Sequence, residues 1–212
     1  MLKDRLEMVR VIREEYKLDS PKVLAVMRIV PRHGFISKEL KDVAYKDCPV
    51  DIGYGQTMSQ PYTVAFMTHL VLNQKVRTDR TRVLEVGTGS GYQAAILSLL
   101  FDEVYTLEIV PELASAAKTK LKKLGYKNVD VEKGNGESGW KEKSPFDAII
   151  ITAGIKKIPQ ELFKQLKTGG VLLAPVGDTR NKVMTRYIKK SDTKFKTETF
   201  GTFLFVPFME SK

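Results

Sequence analysis

Three glycines at alternate positions give the segment Leu84-Glu85-Val86-Gly87-Thr88-Gly89-Ser90-Gly91-Tyr92 its chemical interest. A glycine-rich turn between a strand and a helix lets the backbone approach a ligand at the helix N-terminus, where unpaired N–H groups gather. A dinucleotide fingerprint is spaced G-x-G-x-x-G. Here the spacing is G-x-G-x-G, and Tyr92 stands where the third glycine of that fingerprint would fall. Glu85, two residues before the first glycine, would repel a pyrophosphate but attract a ligand with a cationic amino group. Glu108 ends the next apolar stretch, where a carboxylate can take the two hydroxyls of a ribose. Glu85, Gly87, Thr88, Gly89 and Glu108 are therefore candidates for holding a nucleoside with a cationic tail.

Groups for acid–base or nucleophilic catalysis are scarce. The two histidines are His33 and His69; the second lies in an apolar helical run and reads as a packing or surface residue. The single cysteine, Cys48, has no flanking cationic pair to activate it and excludes an intrachain disulfide or a Cys-rich zinc cluster. No metal is expected.

Positioning these groups requires strands alternating with helices. Residues 82–86, 104–108, 129–132, 146–152 and 171–175 read as strands, and 92–100, 111–124 and 159–166 as helices. Pro111 opens the second of these helices and Gly125 stops it. The tail segments 183–188 and 195–206 are β-rich with no helix between them, so an antiparallel pair is expected. The pattern implies an α/β fold with a mostly parallel sheet. The first third reads helical: Ser20-Pro21 opens a helix ended by Pro31, Ser37 starts a short one, and 62–72 forms another. Between the last two lies a loop, 53–61. The expected organisation is one domain over 1–212, with a helical extension at 1–80 and the ligand-binding core at 81–212.

The chain has 212 residues with a formal charge of +10. Such a balance raises nucleic-acid binding as a possibility. The lysines are spread along the chain, however, and the densest cluster, Lys120-Leu121-Lys122-Lys123, is short. A solvated basic surface is the favoured reading. No apolar run approaches the ~20 residues of a membrane helix, and the N-terminus lacks a signal-peptide core. A cytoplasmic protein away from membranes is expected, as a monomer, with higher oligomers left open.

The combination E-x-G-x-G-x-G followed by an acid at the next strand end resembles the first motif of S-adenosylmethionine-dependent methyltransferases. A more specific resemblance runs through the whole chain. Gly53-Tyr54-Gly55-Gln56-Thr57-Met58-Ser59-Gln60-Pro61 is similar to the G-x-G-Q-T-I-S-x-P signature of protein-L-isoaspartate O-methyltransferases. Val30-Pro31-Arg32-His33-Gly34-Phe35, Tyr45-Lys46-Asp47-Cys48-Pro49, Phe146-Asp147-Ala148-Ile149-Ile150, Leu166-Lys167-Thr168-Gly169-Gly170, Pro175-Val176-Gly177 and Phe205-Val206-Pro207 look like further motifs of that family, in its order.

This resemblance implies a Rossmann-like methyltransferase fold whose strand order departs from the usual one near its C-terminal end. It implies S-adenosyl-L-methionine as cofactor and isoaspartyl residues of damaged proteins as substrate. Methylation of their free α-carboxylate starts a succinimide-mediated return to aspartate. The family's active-site serine falls on Ser59, which is also kept as a cofactor residue, and Gln56 and Thr57 match loop positions near cofactor and substrate. Where the family has G-D-G, with an aspartate reaching the adenine amino group, this chain has Gly134-Asn135-Gly136. Asn135 and Gly136 are kept as cofactor residues, since an amide carbonyl still accepts a hydrogen bond. Asn-Gly also forms succinimide readily, which makes Asn135 a candidate self-damage site that bound cofactor should protect.

The competing enzyme reading is a nucleic-acid methyltransferase on the same cofactor domain. The charge favours it. The sequence lacks N-P-P-[YF] and D-P-P-Y boxes, and Cys48 is followed by proline rather than preceded by it. A non-catalytic dinucleotide-binding module is disfavoured by Glu85 and Tyr92.

Overall fold

The structure is a computed structural model that describes residues 1–72 and 81–209. The expected boundary at residue 80 lies outside the described residues. Helix α1 (Leu2–Glu14) turns Met8, Val9 and Ile12 inward. Helix α2 (Pro21–Ile29) starts with proline at its first position and buries Val23, Leu24, Val26 and Met27. Pro31 then forces the preceding residue out of helical geometry. After Ser37, where a short helix is expected, the chain forms only a 3-10 turn at Lys41–Val43; another, at Arg32–Phe35, precedes it.

The expected loop closes into a small hairpin. Strand β1 (Val50–Gly53) pairs antiparallel with β2 (Gln56–Met58). Its tip turns because Gly53, Tyr54 and Gly55 all take left-handed backbone angles. Helix α3 (Pro61–Val71) follows, almost wholly buried.

The remaining strands are β3 (Arg82–Val86), β4 (Glu103–Glu108), β5 (Val129–Lys133), β6 (Phe146–Ile151), β7 (Leu166–Val176), β8 (Asn181–Lys189) and β9 (Phe195–Leu204). They form one sheet in the order β5-β4-β3-β6-β7-β8-β9. The first five are parallel, and β8 and β9 continue as an antiparallel meander. At this end, neighbours in space are neighbours in sequence. Strand β7 starts earlier than periodicity suggests and runs through Gly169-Gly170. Helices α4 (Tyr92–Leu97), α5 (Pro111–Lys123) and α6 (Gln160–Lys164) complete the fold, and α4 and α6 are shorter than expected.

Burial divides the core along the sheet. Val83, Val104, Ala148, Ile150 and Leu173 face the layer of α1 to α5. Leu84, Leu107, Ile149, Ile151 and Leu172 face a thinner layer built from α6 and its flanking loops. No helix among the described residues is long and apolar enough to cross a membrane.

Candidate active site

Strand β3 ends at Val86 and the chain turns through Gly87 to Gly91 into α4. This places the turn at the carboxyl ends of the parallel strands, where open α/β sheets bind ligands. Three neighbours fix it. The Thr152 hydroxyl, just past β6, donates to the Gly87 carbonyl at 2.7 Å. Gly87 and Thr88 both donate backbone N–H groups to the Leu107 carbonyl. The Glu108 carboxylate accepts Gly89 N–H at 2.7 Å and Val110 N–H at 3.0 Å. Each Glu108 oxygen keeps a free lone pair, so the carboxylate can still receive two hydroxyls.

Gly87, Gly89, Glu108 and Gly136 line one pocket, and Gln56 and Thr57 of the hairpin line it from above. Ile52 of β1 sits over Gly89. Val206 to Met209 form another wall. They are stapled there by Gly154, whose N–H donates to the Val206 carbonyl and whose carbonyl accepts Phe208 N–H. Gly87 and Gly136 make the cradle deep. A Cβ at Gly87 would collide with the Thr152 hydroxyl, and one at Gly136 with Val86 Cγ1. Such backbone-lined depth suits a nucleoside.

Four predicted residues stand behind this wall. Glu85 is fully buried and points to the opposite face of the sheet from Val86, because side chains alternate along a strand. It accepts a hydrogen bond from Thr106 at 2.5 Å, and the Thr106 and Thr88 hydroxyls lie 2.7 Å apart. Glu85 and Thr88 therefore support the turn from beneath rather than lining the pocket. Burial pushes the Glu85 carboxyl up to about 8, against the downward pull of the Thr106 hydroxyl. Its other oxygen has no hydrogen-bond partner among the described residues. Asn135 folds onto its own turn, with Oδ1 accepting Glu137 N–H at 2.9 Å. Ser59 is half-buried and is not among the residues that line the pocket.

What holds Ser59 is the main addition to the sequence reading. Arg32 is completely buried. Its Nη2 donates to the Ser59 carbonyl at 2.7 Å, its Nε donates to the Ala44 carbonyl at 2.7 Å, and its guanidinium lies 4.8 Å from the centre of the Tyr92 ring. Burial pushes this guanidinium down from its ordinary value, yet arginine stays charged. Asp47 performs a parallel task. One oxygen accepts Gln60 Nε2 at 2.6 Å and the Tyr16 hydroxyl, and the other accepts Tyr62 N–H at 3.2 Å. Tyr16 stacks on Tyr62 at 3.9 Å, and its phenol is pushed up to about 12, first by the hydrogen bond to Asp47 and then by burial. The V-P-R and Y-x-D-x-P segments thus brace the serine loop from both sides. Sequence reasoning quoted both motifs without assigning either a task. It also missed Thr152, although the end of a central parallel strand is where a site residue belongs.

A doubly layered parallel sheet, a glycine turn at its carboxyl edge and an acid at the next strand end define the class of S-adenosylmethionine-dependent methyltransferases. Residues 3–212 match the family described as protein-L-isoaspartate(D-aspartate) O-methyltransferase. The protein-L-isoaspartate O-methyltransferase of Opitutus terrae is 48% identical over 190 residues, 89% of this chain and 79% of that protein. A solved protein-L-isoaspartate O-methyltransferase superposes with a TM-score of 0.85 at 28% identity, covering 96% of this chain and 65% of the other. A Plasmodium falciparum structure, titled as this methyltransferase in complex with S-adenosyl-L-homocysteine, has a TM-score of 0.85 at 23% identity and covers 98% and 99% of the two chains. The chain belongs to the protein-L-isoaspartate(D-aspartate) O-methyltransferase family. It is a protein-repair methyltransferase that uses S-adenosyl-L-methionine and acts on isoaspartyl residues of damaged proteins.

Proposed function

We propose that the site divides its work between a cofactor half and a substrate half. The carrying observation is that Gln56 and Thr57 of the hairpin share one pocket with Gly87, Gly89 and Glu108. Glu108 would receive the ribose hydroxyls, the turn from Gly87 to Gly89 would face the amino-acid end, and Asn135 and Gly136 would edge the adenine. Glu85, with Thr88, would keep the turn in shape.

When bound, S-adenosylmethionine supplies a methyl group on a sulfonium that leaves as a neutral thioether. The acceptor carboxylate, with an ordinary pKa of roughly 4, is already ionised at neutral pH and needs no general base. The site's task is alignment and exclusion of water, and alignment can supply ~7–11 kcal/mol in favourable cases. Ser59 acts by donating its hydroxyl to the carboxylate. Arg32 and Asp47 keep Ser59 and Gln60 in place while this happens. Substrates bind as extended chains, mostly through their backbone. The enzyme works as a monomer in the cytoplasm.

The test is transfer of labelled methyl to one synthetic peptide made with isoaspartate and again with aspartate. Base-labile label should enter only the isoaspartyl peptide, and Ser59→Ala should lower kcat by roughly 10–100-fold, about 1.4–2.7 kcal/mol of barrier, with cofactor affinity unchanged. Unaltered kcat in Ser59→Ala would remove Ser59 from the catalytic role.

A further inference from the structure

We propose that Asn135 is a built-in modification site: it closes to a succinimide with Gly136, opens to isoaspartate, disables the nucleotide pocket and makes the damaged chain a substrate for intact copies. The last step rests on the family activity; the others do not. The chain has four asparagines, and only Asn135 precedes glycine. Glycine leaves the attacking nitrogen unhindered. Packing also denies any larger residue this position, because a Cβ at Gly136 would collide with Val86 Cγ1 and lie 3.1 Å from the Phe208 ring. The glycine of the dipeptide is thus required by the shape of the pocket itself.

The local bonds favour closure. The Gly136 N–H has no hydrogen-bond partner among the described residues, so its nitrogen is free to attack. The Asn135 Oδ1 accepts Glu137 N–H at 2.9 Å, a backbone donor placed where negative charge develops as Gly136 N adds to Cγ. Nδ2 donates to Glu137 Oε2 at 3.1 Å. Asn128 makes the opposite case: its Nδ2 is held by the carbonyls of Ser98 and Phe101 at 2.9 and 3.0 Å, and a β-branched valine follows it.

The balance is simple. The bond from Gly136 N to Asn135 Cγ forms and the bond from Cγ to Nδ2 breaks. Water relays the Gly136 proton to Nδ2, which leaves as ammonia. Water then opens the ring. Attack at the α-carbonyl leaves a free α-carboxylate and carries the backbone through Cγ, one methylene longer. That extra length falls beside Gly134 and Gly136, both on the pocket wall. The other opening gives aspartate, the family's own residue at this place.

The full-length protein is incubated warm at mildly alkaline pH, with and without S-adenosyl-L-homocysteine, and followed by peptide mapping and by S-adenosyl-L-homocysteine affinity. Asn135 should convert about tenfold or more faster than Asn128, a barrier difference of at least about 1.4 kcal/mol. The ligand should slow it, and affinity should fall in step with isoaspartate at 135. Fresh enzyme with labelled S-adenosylmethionine should then label the peptide containing residue 135. In Asn135→Ser, affinity should keep its starting value, whatever that value is. Conversion no faster than at Asn128, or an affinity loss in Asn135→Ser at the wild-type rate, would overturn the proposal. Conversion with full loss of affinity but no label at 135 would overturn only the self-substrate step; activity on the synthetic isoaspartyl peptide shows separately whether the enzymatic reading stands.

Discussion

The two halves of the site are held in different ways. The glycine turn is fixed from its own sheet, by the Thr152 hydroxyl, the Leu107 carbonyl and the Glu108 carboxylate, all at strand ends. The serine loop has no such frame. Its hairpin is only two short strands, which are marginal alone in water. Its position comes from two charged side chains, Arg32 and Asp47, that reach it from the segments preceding the hairpin. A cofactor half can be built from backbone because its ligand is constant. A half that must admit many protein sequences is instead suspended from charged side chains, one buried and one half-buried, leaving its outer surface open.

This contrast predicts separable failures. Gly136→Ala should have the largest effect. The new methyl collides with Val86 in a packed wall, overpacking costs about 1–3 kcal/mol, and S-adenosyl-L-homocysteine binding measured by calorimetry should be lost. Arg32→Met comes next. It leaves the carbonyls of Ser59 and Ala44 unpaired, which costs roughly 2–6 kcal/mol in a denaturant melt at ~1–3 kcal/mol for each buried group. In the folded fraction kcat should fall while cofactor affinity holds. Equal losses in both would show that the two halves are one rigid unit. Asp47→Asn should be milder, since the amide keeps its shape but accepts fewer bonds; KM for peptide should rise a few-fold with little change in kcat.

The last test, Glu85→Gln, reads stability against pH rather than binding. The native carboxyl sits at about 8, above its unfolded value near 4.5. Below the lower value both states are protonated and nothing is lost. Between the two, the unfolded state ionises first and the native state is progressively disfavoured. Without ligand, the wild-type melting temperature should carry a component that declines from about pH 4.5 to 8, and Glu85→Gln should lack it. Identical pH profiles for the two would place the charge elsewhere.

Much of this was legible in the residues. Strand–helix alternation after Thr81 located the sheet, and the glycine turn with Glu108 located the pocket. What was hidden had physical causes. The hairpin read as a loop because glycines fill its tip and its strands are three and four residues long, too short for alternation to register. Glu85 was assigned to the ligand because sequence gives its distance from the glycines but not its face of the strand. The braces were invisible because a buried arginine has no local signature; Arg32 and Ser59 meet only through the fold.

The staple between Gly154 and the segment 206–208 sets an order in time. The sheet, the glycine turn and the hairpin all precede that segment in the chain, yet the pocket has no outer wall until it docks. A chain still being synthesised can fold its core and remain unable to grip a nucleoside. Binding competence arrives only when the segment after β9 has docked on Gly154, so the sheet can be complete while the pocket still lacks one wall.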